Sequence, residues 1–298
     1  MVFAVGCYVL WGLFPAYFPL LKPADGLEIL AHRILWSAVV MVVVLTVTRG
    51  WAPLRAASAR MWGLMALSGL LVSGNWLIYV LAINGGHVAE AALGYFINPL
   101  VSVVLGIVFL KEQLRRGQLI AVGIAGVAVG WLTIAGGAPP IIGLGLALTF
   151  GLYGLLKKRI DVPATAGLAA ETLCMAPIAV VWLAVTTATG AATWHTHGAG
   201  HAALLLSSGV VTVVPLLLFA YGAKAIPLAT IGMLQYLTPT LQMLWAVFVV
   251  HETITTQRWV GFVLIWIAVG VFLADTLRAA RHTRRHQHPH PAQPLDAA

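Results

Sequence analysis

Ten apolar runs cross this chain, and each is long enough to traverse the hydrocarbon core of a bilayer. They lie at about 2–21, 29–48, 61–83, 88–110, 117–135, 140–156, 164–187, 202–221, 228–250 and 257–275. A spanning helix needs about 20 mainly apolar residues, and inside lipid its backbone must satisfy its own hydrogen bonds. The breaks are short. Lys22-Pro23-Ala24-Asp25-Gly26, Asn84-Gly85-Gly86-His87 and Gly136-Gly137-Ala138-Pro139-Pro140 are three of them, each with turn-forming Gly or Pro. Only 9% of the residues are charged and 60% are hydrophobic, whereas a soluble domain carries about 25% charged residues. That balance excludes a cytosolic enzyme, a disulfide-built secreted domain and a disordered chain. The predicted fold is all-α and integral to the membrane, with ten transmembrane helices. Cys7 and Cys174 lie within apolar runs and form no metal or disulfide pattern.

The basic residues test the topology independently, because cytoplasmic loops are enriched in Lys and Arg. With the N-terminus inside, fourteen of the 17 Lys and Arg fall in cytoplasmic segments. Lys22 and Arg258 fall outside, and Arg33 lies within the second span. Both termini are therefore predicted to be cytoplasmic. The net charge of +8 reads as orientation and lipid contact. It does not read as nucleic-acid binding, which needs a basic patch with interleaved aromatics on a soluble face. Residues 276–298, with His282, His286, His288 and His290, are predicted to form a disordered cytoplasmic tail. Metal capture by those histidines is the competing reading.

The chain also partly matches itself when its second half is laid on its first. One constant shift puts Asn98-Pro99 on Thr238-Pro239, Lys111-Glu112 on His251-Glu252, and Ala128-Val129-Gly130 on Ala268-Val269-Gly270. The pattern predicts two repeats of five helices, residues 1–135 and 140–275. An odd number of helices per repeat turns the second half upside down relative to the first. Inverted repeats are the architecture of many secondary transporters, with the site near the midplane.

Several motifs carry a resemblance to a known family. They include Trp11-Gly12-Leu13-Phe14-Pro15-Ala16-Tyr17-Phe18, Glu28-Ile29-Leu30-Ala31-His32-Arg33 and Gly74-Asn75-Trp76-Leu77. The longest is Glu90-Ala91-Ala92-Leu93-Gly94-Tyr95-Phe96-Ile97-Asn98-Pro99, and Gln235-Tyr236-Leu237-Thr238-Pro239 is its counterpart in the second half. Over about residues 1–275 the chain resembles the RarD branch of the EamA group, within the drug/metabolite transporter superfamily. The resemblance implies a permease of the bacterial inner membrane with two EamA repeats, no cofactor and no settled substrate. Members of the branch usually begin with a short basic segment before the first span, which implies a start upstream of Met1.

Polar groups inside a span are costly and mark candidate sites. Arg33 and Glu171 fall at matching points of the two repeats and are expected to face a central cavity, as a charge pair or as binders of a zwitterion. His32 lies one turn after Glu28 on the same helix face, which suits either proton coupling or a plain ion pair at the outer interface. Glu90 opens the fourth span, where the helix dipole favours a carboxylate. Tyr95, Asn98 and Pro99 in span four answer to Gln235, Tyr236, Thr238 and Pro239 in span nine. The paired prolines Pro99 and Pro239 predict kinks that free backbone carbonyls. Asn75 and Tyr79 share a face of span three, and Tyr153 and Lys157 repeat that spacing in span six, with Lys157 expected at the cytoplasmic edge. Trp36 and Trp245 are candidates for stacking on an aromatic substrate or for lipid contact. Gly126-Val127-Ala128-Val129-Gly130 permits close helix approach, within the fold or in a homodimer.

His251-Glu252-Thr253-Ile254-Thr255 lacks the second histidine of a zinc-protease motif, and no P-loop is present. The expected function is secondary transport of a small organic metabolite or drug, with proton coupling through His32, Glu90 or Glu171. The expected partners are that small-molecule substrate and the lipid bilayer. A polytopic membrane enzyme acting on a lipid-soluble substrate is the alternative.

Overall fold

The computed structural model of the chain describes residues 1–136 and 141–287. Among them every regular element is helical, and there is no strand. α1 (Val2–Gly12) and α2 (Phe14–Tyr17) run into a 3-10 turn (Phe18–Leu21). Then come α3 (Gly26–Val47), α4 (Ala52–Arg55), α5 (Ala59–Asn84), α6 (Val88–Leu110) and α7 (Arg116–Gly136). The second half holds α8 (Ile141–Arg159), α9 (Ala164–Ala188), α10 (Gly198–Ala225), α11 (Leu228–Gln235), α12 (Leu237–Phe248) and α13 (Thr256–Gln287). Nine helical stretches among the described residues are long and apolar enough to cross a membrane.

The predicted ninth run differs from the others. It forms two helices, α11 and α12, that part at Tyr236. The cause lies three residues on: Pro239 has no N–H to donate, and its ring crowds the carbonyl of Gln235. Pro99, its counterpart, sits inside the unbroken helix α6. The tail also departs from expectation. α13 runs to Gln287 rather than ending near 275. Its sequence there includes Leu277, Ala279, Ala280 and four arginines, which are good helix formers, and the first helix-breaking residue is Pro289. The predicted breaker at residues 137–140 and the histidines His288 and His290 lie outside the described residues.

Burial runs opposite to that of a soluble protein. Val47, Ile134 and Phe248 expose 78%, 80% and 69% of their surface, while Glu28, His32, Arg33, Lys157 and Glu171 are buried. Apolar side chains outward and satisfied polar groups inward are what a hydrocarbon solvent demands. The centre is aromatic: Tyr153 stacks on Phe219 at 5.4 Å, and Phe150 and Trp11 pack edge-on at 5.6 Å. A Cβ on Gly126 or Gly130 would meet nothing within 4 Å, so those glycines do not seat a close approach within the chain.

Several local features recur between the halves at the shift that relates Pro99 to Pro239. α6 and α11 begin at Val88 and Leu228, and α7 and α13 at Arg116 and Thr256. Lys111 and His251 both adopt left-handed backbone, with φ of 54° and 59°. The amide after each bonds back to the preceding turn, Glu112 N–H to Gly106 O at 3.0 Å and Glu252 N–H to Ala246 O at 2.9 Å. The same left-handed turn with a back-bonded amide thus follows both helices, directly after α6 and two residues past the Val249 cap of α12. Tyr236 Oη donates to Phe96 O at 3.1 Å, and those two residues are themselves repeat mates.

Candidate functional site

A cavity of about 290 Å³ opens between α1, α3, α5, α6, α8 and α12. Its polar lining consists of Arg33, Asn75, Tyr79, Asn84, Tyr95, Asn98, Thr238 and Gln242. Trp11, Phe14, Phe18, Trp76 and Phe150 supply aromatic walls. The Arg33 guanidinium lies 4.1 Å from the Trp76 ring centre, with Phe18 at 5.3 Å and Phe14 at 5.9 Å. Its Nε donates to Thr212 Oγ1 at 3.0 Å, and among the described residues no carboxylate pairs with it. A guanidinium framed by rings and without an acid is chemically able to receive anionic oxygens, which its planar fork can engage two at a time.

The surrounding hydrogen bonds hold the walls in place. Asn75 Nδ2 donates to Leu146 O at 2.8 Å and to Thr149 Oγ1 at 2.9 Å, tying α5 to α8. Thr238 Oγ1 donates to Tyr8 O at 3.0 Å, and Gln242 Nε2 to Trp11 O at 3.2 Å, tying α12 to α1. Tyr79 and Tyr95 meet edge-on at 5.8 Å. Asn98 Oδ1 is buried without a partner among the described residues.

A second cavity of about 700 Å³ separates the first turns of α6 from α12 and the start of α13. Tyr95 and Gln242 border both spaces. Glu90, Glu252 and Arg258 are its charged groups, and Glu90 is paired with His87 at 3.1 Å.

The expected pair of Arg33 with Glu171 does not form. Glu171 Oε1 instead accepts from Lys157 Nζ at 2.5 Å, with both side chains buried. Lys157, in the last turn of α8, is thus buried against α9. Arg33 and Glu171 fall within one residue of each other in the repeat alignment, but corresponding positions need not touch, and these two do not pair. Glu171 borders only a space of about 20 Å³, shared with Thr212 and Trp76.

His32 is engaged by its own helix. Its Nδ1 accepts from Trp36 Nε1 at 3.0 Å, which requires an unprotonated Nδ1 and hence a neutral ring. Glu28 lies 4.0 Å away from it and spends its carboxylate on Thr193 N, Thr193 Oγ1 and Trp194 N, at 2.6, 2.9 and 3.1 Å. Trp36 packs against α10, where a Cβ on Gly209 would fall 2.5 Å from its backbone. Tyr153, Gln235 and Tyr236 are buried in the packed interior, and neither they nor Trp245 line either cavity. The structure thus gathers Arg33, Asn75, Tyr79, Tyr95, Asn98 and Thr238 around one space. It adds Gln242, which lies one helical turn after Thr238 and so shares its face. Among the described residues no group of His, Cys, Asp and Glu is arranged to hold a metal.

With that geometry established, comparison with known proteins identifies the class. The sequence matches the EamA-like transporter family twice, over residues 1–134 and 139–274. The chain belongs to that family and is a multi-pass membrane transporter rather than an enzyme. It is similar to Protein RarD of Streptomyces exfoliatus, at 43% identity over 95% of this chain and 91% of the relative. It is also similar to Protein RarD of Escherichia coli, at 39% identity over 96% and 97%. An uncharacterized transporter of Vibrio cholerae is 41% identical over 96% and 95%. The fold matches a solved crystal structure with a TM-score of 0.68 at 17% identity, over 91% of this chain and 96% of the other.

Proposed function

We propose that this chain is a RarD-like secondary transporter that moves a small organic anion across the bacterial inner membrane by alternating access. On this reading α11 and α12 make up one interrupted span, which gives ten. Residues 1–135 and 140–275 are two five-helix repeats of opposite orientation, and both termini are cytoplasmic, as the distribution of Lys and Arg supports. The recurrence of helix starts, left-handed residues and back-bonded amides at one constant shift supports the repeats. The single observation that carries the function is an asymmetry between repeat-related contacts. The contact of α6 with α11 is closed, whereas the contact of α6 with α12 that answers to it is parted by the 700 Å³ cavity. By the charge rule the closed end is cytoplasmic, so the molecule stands open to the outside.

The substrate class follows from Arg33, a buried cation without an acid, set among aromatic rings in a cavity of drug-fragment size. It favours a carboxylate or similar anion carried on a flat apolar body. Of the three residues proposed for proton coupling, Glu90 alone borders one of the two large cavities, and it is the coupling candidate that this geometry supports. Counterflow in proteoliposomes with labelled aromatic and aliphatic carboxylates tests the reading. The expected result is saturable uptake that accelerates with unlabelled anion on the opposite side. Flux linear in concentration and indifferent to the opposite side would make the protein a channel. Saturable flux of cations alone would overturn the anion assignment.

A further inference from the structure

The closed end of the molecule shows what the open end lacks. There the Glu112 carboxylate accepts two backbone amides at the start of α11, Leu228 N at 2.6 Å and Ala229 N at 2.9 Å. First-turn amides have no acceptor within their own helix, and the helix dipole favours a carboxylate at that point. Beside this clasp the helices touch closely. A Cβ on Gly232 would lie 2.7 Å from Pro99 O and 2.9 Å from Ser102 Cβ, and one on Gly106 would lie 2.6 Å from Glu112 Oε2.

Carried over to its repeat mates, every member of this clasp falls at the open end. Glu112 becomes Glu252, and the amides of Leu228 and Ala229 become those of Val88 and Ala89. The contact residues Gly232, Ser102 and Gly106 become Ala92, Gln242 and Ala246. Val88, Ala92, Gln242, Ala246 and Glu252 all line the 700 Å³ cavity. The backbone presenting Glu252 already has the form of the one presenting Glu112. His251 repeats the left-handed turn of Lys111, and Glu252 N repeats the bond of Glu112 N. His87, the N-cap residue of α6, makes no capping hydrogen bond with its side chain, and Glu252 is exposed.

From this we infer that Glu252 is the outer latch of the transport cycle. When the cavity closes, its carboxylate takes the amides of Val88 and Ala89, as Glu112 takes those of Leu228 and Ala229. Two other charged groups line the cleft. Glu90, within 3.1 Å of His87, repels an incoming carboxylate. Arg258 lies on the Glu252 wall and attracts it. The latch positions helices and makes no contact with solute. The inference rests on the alternating-access reading.

A pair of cysteines replacing Ala92 and Gln242 distinguishes the two ideas. These positions answer to Gly232 and Ser102, whose close approach at the closed end brings Cβ positions to disulfide range or nearer. The pair is introduced into the full-length chain with Cys7 and Cys174 replaced by alanine, and oxidised in native membranes. With Glu252 present, a disulfide is expected. With Glu252→Gln or Glu252→Ala it should form about tenfold more slowly, the loss expected when charge-assisted bonds are removed. Equal rates with and without the carboxylate would overturn the latch while leaving alternating access intact. No disulfide in either background, in protein shown to be folded by its thermal transition, would overturn both. Because Glu252 is exposed in the open state, its removal leaves that state folded.

Discussion

Helix α6 meets the second half of the chain at both its ends, and the two meetings differ in the size of their residues. At the closed end the contact is made by Gly232, Ser102 and Gly106; at the open end the equivalent positions are Ala92, Gln242 and Ala246. Every substitution is towards bulk. The closed end also carries polar ties between its helices. Besides the Glu112 clasp, Lys158 Nζ donates to Ile226 O at 2.7 Å, Lys224 Nζ donates to Ile160 O and Val162 O, and Arg115 pairs with Asp275 at 2.6 Å. On the alternating-access proposal, the difference teaches where the bias between the two states would reside. Two contacts of one design differ by a few methylenes and a few hydrogen bonds, which is the scale of a population shift.

The largest expected effect separates scaffold from gate. Lys157→Ala leaves the buried Glu171 carboxylate unpaired, and removal of one partner of such a pair typically costs about 3–5 kcal/mol. Thermal unfolding of the purified protein should show the loss, and Lys157→Met with Glu171→Leu should recover most of it. If the single variant is as stable as the parent, the pair does not hold α8 to α9. Next in size is Arg33. Arg33→Ala is expected to reduce carboxylate flux by about ten- to a hundredfold, the worth of a hydrogen bond to a charged group. Arg33→Lys should restore little, because an ammonium neither stacks flat on Trp76 nor presents a fork. Full activity in Arg33→Lys would show that charge alone matters there.

Glu112→Gln bears directly on the comparison. The substitution keeps one acceptor oxygen and loses the charge, so the clasp should weaken by about 1–2 kcal/mol. A cysteine at Ser102, silent to cytoplasmic thiol reagents in the parent, should then label several-fold faster. Unchanged labelling would mean that packing, not the clasp, keeps this end shut.

Much of this was legible in the sequence, and the parts that were not have physical reasons. Hydropathy and turn residues place the helices because lipid penalises any other backbone. The one broken span turns on a single proline, and Pro99 shows that the same residue can sit in an unbroken helix. Asn75, Tyr79, Tyr95, Asn98 and Thr238 were visible as costly polar groups, and they do line the cavity. The partner of Glu171 was misread because the repeat alignment was taken as a map of contacts. A short connection provides the better guide: α8 ends at Arg159 and α9 begins at Ala164, so Lys157 and Glu171 flank one tight turn. His32 was read by the charge of Glu28, whereas its own helix offered Trp36 one turn on.

The smallest expected effect sharpens the comparison most finely. Gly232→Ala converts the closed contact towards its open counterpart, which has Ala92 at that place. The new methyl would sit 2.7 Å from Pro99 O, and a backbone carbonyl beside a proline has little room to yield. Overpacking of this kind costs about 1–3 kcal/mol, and the gain from replacing a helical glycine returns roughly 0.8–1 kcal/mol. The net of about 1 kcal/mol should appear as faster cytoplasmic labelling at Ser102, about fivefold, with the thermal transition little changed because the open state also gains the alanine. If Gly232→Ala labels no faster while Glu112→Gln does, residue size does not set the bias and the polar ties set it alone.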